Sequence, residues 1–213
     1  MTFIELQADQ DVGGQAAELF AADRQAIGYV ANHTRLFARR PAVYLAWRQL
    51  NEAIKANMDL RRYELATLAA ARRLRSSYCA LAHGKVLRDR FYDAGAVIGI
   101  ITDHHQAGLG PSDVAVMDFA GQIAADAVSV TAGDVAALRA CGLSDTDILD
   151  VALAAAARCF FSTVLDAMGA EPDAAYRTEL EPELREALAV GRPIADAPVT
   201  SRGPRHLERR LPR

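Results

Sequence analysis

Residues 63–88 read YELATLAAARRLRSSYCALAHGKVLR, and this stretch decides the fold. With Leu60 just before it, Leu65, Leu68 and Ala69 fall on one side of a helix of period 3.6. Alanine fills most other apolar positions, which favours close helix packing over a sheet. Asp59 stands where a side-chain acceptor caps a helix, so one helix is predicted over Leu60 to Leu74. Ser76 and Ser77 interrupt the pattern. A second helix then reaches to about Tyr92, with Gly95 ending it.

Outward from this hairpin the same periodicity continues. Toward the N-terminus helices are predicted from Gly14 to about Tyr29, from Asn32 to Ala38, and from Pro41 to Ala56, where Pro41 suits a first helical position. Toward the C-terminus, Ala96 to Gly110 reads as a short helix followed by a loop. Pro111 opens a helix to about Val128. Thr131 with Asp134, and Ser144 with Asp147, read as capping boxes. Gly142 closes the shorter of these two helices, and the longer runs to about Met168 and Gly169. A last, acidic helix is predicted from Asp173 to Val190, and Pro193, Pro198 and Pro204 then end helical order. The prediction is one all-α domain over residues 1–190, its helices in antiparallel hairpins, followed by a basic Pro/Arg-rich tail, 191–213, as a flexible end or an oligomer arm. In that tail six arginines stand against Asp196 and Glu208. A loose internal echo pairs Leu60, Glu64, Leu65, Leu68, Cys79 and Leu87 with Leu143, Asp147, Ile148, Val151, Cys159 and Leu165, either as a duplication or as two similar amphipathic patterns.

Composition narrows the classes. The chain has 213 residues, 51% of them hydrophobic, and a formal charge of −3. That is enough apolar material for a sizeable core, and the charge argues against a nucleic-acid or anionic-membrane surface. Three cysteines, Cys79, Cys141 and Cys159, make no disulfide framework. The acidic N-terminus lacks the pattern of a signal peptide, and no uncharged apolar stretch is long enough to span a bilayer. A soluble, cytoplasmic protein is expected.

Cys79 and His83 are four residues apart and share one helix face. With Ser76 as N-cap, Cys79 falls in the first turn, where free N–H groups and the helix dipole favour an anion. Arg75 and His83 are expected to push the same way, and Glu64 on the preceding helix to orient His83 or accept its proton. Cysteine, histidine and carboxylate are the parts of an activated thiol. The competing reading of both residues is plain core packing, the usual fate of a free cysteine.

This stretch resembles the core motif of the alkylhydroperoxidase AhpD-like and carboxymuconolactone decarboxylase family: a Glu, then Cys-x-x-Cys, then His four residues after the second Cys. Glu64, Cys79 and His83 match it. GLSDTDILDVALAAAARCFFSTVLDAMGAEPD and ANHTRLFARRPAVYLAW are similar to the peroxidase-related branch, so the resemblance covers about residues 25–175. It implies a helical fold assembled as a homo-oligomer (trimer, hexamer or dimer) and thiol-dependent reduction of hydroperoxides. In that chemistry the second motif cysteine meets the peroxide, the first resolves it, and Glu and His relay protons. Here Ser76 replaces the first cysteine, and Tyr78 stands where a histidine is usual; both are secondary site candidates. A hydroxyl closes no disulfide, so a sulfenic acid at Cys79 would need an outside thiol.

The expected partners are therefore a hydroperoxide or other small-molecule substrate, an external thiol reductant and further copies of the chain, with no nucleic acid, membrane, cofactor or metal. Cys141 and Cys159 read as packing residues. His104 and His105, beside Asp103, suggest a metal at first glance, but adjacent helical residues do not face each other and no further ligand is obvious, so a solvated loop is expected. The pairs Arg39–Arg40, Arg61–Arg62 and Arg72–Arg73 read as helix-end and surface charges, one of which could line an acidic substrate pocket. Trp47, Phe160 and Phe161 read as core or interface residues. Three functions stay open: a single-cysteine antioxidant peroxidase-like enzyme, a carboxymuconolactone decarboxylase-like enzyme using His83 as base and a cationic clamp, and a non-catalytic oligomeric member.

Overall fold

The computed structural model describes residues 2–196 and is all-α, with eleven α-helices, two short 3-10 segments and no strand among the described residues. The helices are α1 (Gln15–Ile27), α2 (Asn32–Phe37), α3 (Pro41–Lys55), α4 (Leu60–Arg73), α5 (Ser77–Arg90), α6 (Ala94–Asp103), α7 (Pro111–Asp126), α8 (Ala132–Ala140), α9 (Asp145–Ala167), α10 (Tyr176–Glu179) and α11 (Pro182–Leu188).

Local signals set most of these ends. Asp59 accepts from the Arg62 N–H and starts α4. Pro41 and Pro111 sit in the first turns of α3 and α7. Complete capping boxes, Thr131 with Asp134 and Ser144 with Asp147, start α8 and α9. Gly28, Gly142 and Gly169 take positive φ just beyond α1, α8 and α9, where a side chain would be strained.

Two expectations change. Gly95 does not end α5; that helix stops at Arg90, and Gly95 lies in the first turn of α6, which Asp93 caps through the Ala96 N–H. The single helix expected over Asp173 to Val190 is two, α10 and α11. Pro182 is the reason: it has no N–H to give and forces Glu181 before it into an extended conformation, φ −58° and ψ 142°. The internal echo also fails as structure, because its first half spans α4, a turn and α5, whereas its second, apart from Leu143, lies along the single helix α9.

Helix α4 is the hub, packed against α5, α7 and α9. Its Leu65, Ala66, Leu68, Ala70 and Ala71 are fully buried, so small and large apolar residues fill the centre on several sides. One apolar cluster joins Leu65, Leu68, Cys79 and Leu81 to Phe161, Leu165 and the C-terminal Leu184 and Leu188. A second joins Ala66 and Ala70 to Val116, Phe119 and Val151. Helix α9 is long and apolar enough to cross a membrane by length and composition. Here it is a core helix that buries Val151, Ala155, Leu165 and two charged residues, Asp150 and Arg158.

The turn between α4 and α5 is tight. The Ser76 N–H donates to Ala71 O and the Arg75 N–H to Arg72 O, with Arg75 left-handed at φ 57°. This is a Schellman turn carrying arginine where glycine is usual. Gly191 lies directly against it: its N–H donates to Ser77 Oγ at 2.7 Å, and a Cβ there would collide with the Arg75 carbonyl oxygen. The start of the predicted tail is thus seated on the body, with Ile194 and Ala195 buried and the Ala195 N–H on Pro172 O. Residues 197–213 lie outside the described residues.

Candidate active site

Cys79 is the third residue of α5, in its first turn, and Ser76 is the N-cap. The first intrahelical bond runs from the Ala80 N–H to Ser76 O, so the N–H of Cys79 has no intrahelical partner. Ser76 is buried but makes no side-chain cap. Burial of Cys79 is nearly complete, at 2% exposure.

A residue from a distant helix meets the thiol. Arg158 Nη1, on α9, donates to Cys79 Sγ at 3.5 Å across 79 positions of sequence. Its guanidinium carbon lies 5.6 Å from the Phe161 ring centre and 6.0 Å from that of Trp47, and those two rings stack at 4.0 Å. Both rings are within cation–π range of the guanidinium. Burial works against the charge on Arg158, but its interactions with Cys79 and Tyr63 outweigh it and raise its pKa. The Tyr63 hydroxyl is itself fixed by donating to Asn51 Oδ1 at 2.8 Å. Nothing in sequence reasoning singled out Arg158; the available signal was one arginine inside the alanine-rich run ALAAAARCFF.

One turn beyond Cys79, His83 Nδ1 meets Glu64 Oε2 at 2.5 Å, with both side chains buried. The antiparallel α4–α5 hairpin makes this contact. Burial holds His83 below the ordinary histidine value, with Arg158 acting the same way and Glu64 opposing. We therefore read the pair as a neutral imidazole donating its Nδ1 proton to the carboxylate, which leaves Nε2 as an acceptor.

Arg75 is not part of this arrangement. It is exposed, and its Nε turns to Val190 O; the left-handed turn points it toward the C-terminal segment, and Arg158 takes the place expected for it. Tyr78 faces a separate buried network. Its hydroxyl donates to Asp173 Oδ2 at 2.5 Å and accepts from the His33 N–H at 3.2 Å. The Asn32 N–H donates to Asp173 Oδ1 at 2.7 Å. Cys141 is half-buried against the second apolar cluster, and Cys159 is half-buried on α9 with its thiol pKa raised by burial. Phe161 is in the core, whereas Phe160 is 44% exposed.

One buried histidine, His83, and one half-buried, His33, predict acid sensitivity. Burial is the main cause that lowers the pKa of both His33 and His83. A histidine whose folded pKa lies below its unfolded value of about 6.5 binds fewer protons when folded. Its stability contribution is full above that value and is lost as pH falls below it. Asp173 has the opposite sign, since burial raises its carboxyl; the folded state then holds that proton more readily, which offsets part of the loss near the carboxylate range. Urea melts are expected to show unfolding free energy falling from pH 7 to 5, by about 1.4 kcal/mol per pH unit for each histidine at most. A flat profile would contradict neutral rings at both positions.

His104 and His105 lie in the loop expected after the short helix, but they are not isolated there. Helix α6 ends at Asp103, so the two residues lie in a turn and their rings converge, with centroids 4.5 Å apart. Asp118 of α7 supplies the third group that the sequence did not show: its Oδ1 lies 2.8 Å from His104 Nε2 and 3.0 Å from His105 Nε2.

No described protein family and no curated protein matches the sequence. Solved structures similar to this chain include an uncharacterized peroxidase-related protein with an alkylhydroperoxidase AhpD core from Ralstonia eutropha JMP134. It shares 20% identity at a TM-score of 0.74, over 82% of this chain and 94% of that one. A peroxidase-related protein from Silicibacter sp. TM1040 shares 19% at a TM-score of 0.75, over 83% and 94%. The debrominase Bmp8, in complex with 2,3,4-tribromopyrrole, shares 15% at a TM-score of 0.70, over 86% and 98%. At these identities the likeness shows the fold, which is the AhpD-like all-helical fold that the sequence resemblance implied.

Proposed function

We propose that this chain is a thiol-dependent, hydroperoxidase-like oxidoreductase in which Cys79 is the single reacting thiol. The observation that carries the reading is the buried Arg158 guanidinium donating to Cys79 Sγ, one helical turn from the Glu64–His83 pair. The solved structures alone do not select the chemistry, since the fold they share with this chain hosts both peroxidase-related proteins and a debrominase.

In this reading His83 Nε2 takes the Cys79 proton while Glu64 holds Nδ1–H and steadies the ring. The sulfur attacks the terminal peroxide oxygen, the O–O bond breaks, and the leaving alkoxide takes the proton back from His83. Products are an alcohol and a sulfenic acid at Cys79; sulfur loses two electrons and the peroxide gains them. Arg158 stabilises the negative charge that passes from sulfur to oxygen. Ser76 supplies no thiol, so one external thiol forms a mixed disulfide with Cys79 and releases water, and a second frees Cys79 as a disulfide of the two external thiols. The near-complete burial of Cys79 suits a small hydroperoxide. The same reading includes a reducing, cytoplasmic setting, and a homo-oligomer that covers the exposed Val43 and Leu50 of α3 and Leu149, Leu153 and Phe160 of α9.

Treating the protein with one equivalent of hydroperoxide and a sulfenic-acid trap, then mapping adducts by mass spectrometry, tests this. Cys79 is expected to be labelled ahead of Cys141 and Cys159. Faster labelling of either of those, or an unreacted Cys79 under excess peroxide, overturns the reading.

Arg158 also favours a second reading, the carboxymuconolactone decarboxylase-like enzyme, because it is the cationic clamp that chemistry needs beside His83. Arg158 Nε and Trp47 Nε1 are buried without partners, as donors awaiting a substrate oxygen would be. Cys79→Ala separates the two readings: it abolishes peroxide consumption in the first and leaves lactone turnover intact in the second.

A further inference from the structure

We infer that His104, His105 and Asp118 form a binding site for a divalent first-row transition metal, with zinc the ion the donor set suits best. Two imidazole nitrogens and one carboxylate oxygen are a borderline set that matches zinc and, less closely, cobalt or nickel. Their three ligand atoms lie within 4.8 Å of one another. In a tetrahedral zinc site with bonds of about 2.0–2.1 Å, neighbouring ligand atoms stand roughly 3.3 Å apart. Asp118 Oδ1 is already 2.8 and 3.0 Å from the two ring nitrogens. Both of these separations are within about half an ångström of that value, so small adjustments of the side chains bring the carboxylate and each imidazole to ligand spacing.

The backbone explains how two adjacent histidines come to converge. Within a helix they would diverge by about 100°. Asp103 ends α6 and its Oδ1 accepts the His105 N–H at 3.0 Å, which fixes the turn that swings both rings toward α7. Folding gains little from this cluster, since His105 is 53% and Asp118 48% exposed and exposed ion pairs stabilise weakly.

Three protein ligands leave a coordination position open, as in metal sites that bind a further ligand. Two of the three ligands, His104 and Asp118, also line a crevice together with Met117, Gln122, Arg72 and Arg73. Arg72 is held in place by its Nη1 bond to the Ile101 carbonyl. Two arginines beside a dication suit an anionic further ligand, a carboxylate or phosphate. None of Glu64, Cys79, His83 or Arg158 lines this crevice, so the site is independent of the proposed thiol chemistry.

The test uses the tag-free full chain, stripped with a chelator, titrated with cobalt while following its visible absorption, and with zinc against a chromophoric chelator. One ion per chain is expected, with micromolar or tighter affinity. His105→Ala and Asp118→Asn are each expected to weaken binding at least about tenfold, with helical circular dichroism unchanged, and Cys79→Ser to leave it untouched. No uptake at submillimolar zinc, undiminished binding in the doubly substituted chain, or loss of binding in Cys79→Ser would each overturn the proposal.

Discussion

Replacing Arg158 by methionine is expected to slow hydroperoxide oxidation of Cys79 by about 10²–10³-fold, the usual cost of deleting one donor aimed at developing charge in a water-poor site. Methionine keeps much of the length and the contacts with Trp47 and Phe161 while removing every N–H. Among the described residues no carboxylate pairs with Arg158; its polar neighbours are the Cys79 sulfur and the Tyr63 hydroxyl. A buried cation without a carboxylate is a cost to folding, so the melting temperature of Arg158→Met should stay level or rise. Stopped-flow thiol oxidation and a thermal melt on the same preparation read the two effects separately. A slow variant that is also strongly destabilised would point to a packing role instead, and an unchanged rate would remove Arg158 from the chemistry.

Asp173→Ala is expected to cost about 2–4 kcal/mol of stability, a large share of the total for a domain of ordinary margin. Asp173 is 5% exposed and accepts from the Tyr78 hydroxyl and the Asn32 N–H. Removing the carboxylate orphans the Asn32 N–H at about 1–3 kcal/mol, leaves the Tyr78 hydroxyl with His33 Nδ1 at 3.0 Å as its remaining partner, and opens a cavity. Tyr78→Phe should cost less, about 1–2 kcal/mol, because Asn32 still serves the carboxylate. Denaturant melts of both variants measure this. A loss under about 1 kcal/mol for Asp173→Ala would show that the network does not clamp the segment after α9 onto α2 and α5.

Much of this protein is legible in the order of its residues. Capping residues lie within four positions of the N–H groups they serve, so Asp59, Thr131 and Ser144 announce their helices. The Glu64–His83 contact is readable for a related reason: a short turn between two regular helices leaves few arrangements, and four-residue spacing fixes which face His83 shares with Cys79. Pro182 is equally local, and the helix break it causes is open to the same reasoning. Arg75 misleads because nearness in sequence stands in for nearness in space, and its left-handed turn sends it the other way.

The all-helical architecture, the ends of most helices and the pairing of Glu64 with His83 follow from the order of the residues, because each depends on hydrogen bonds and side-chain contacts that close within a turn or a hairpin. Long-range packing is what brings Arg158 to the thiol, Tyr78 to Asp173 across 95 residues, and Asp118 to His104 and His105. An arginine or aspartate in a helical pattern reads as solvent-facing, since burying a charge is unfavourable unless particular partners compensate it. Those partners lie on other helices, and only the packing of the whole chain brings them within reach.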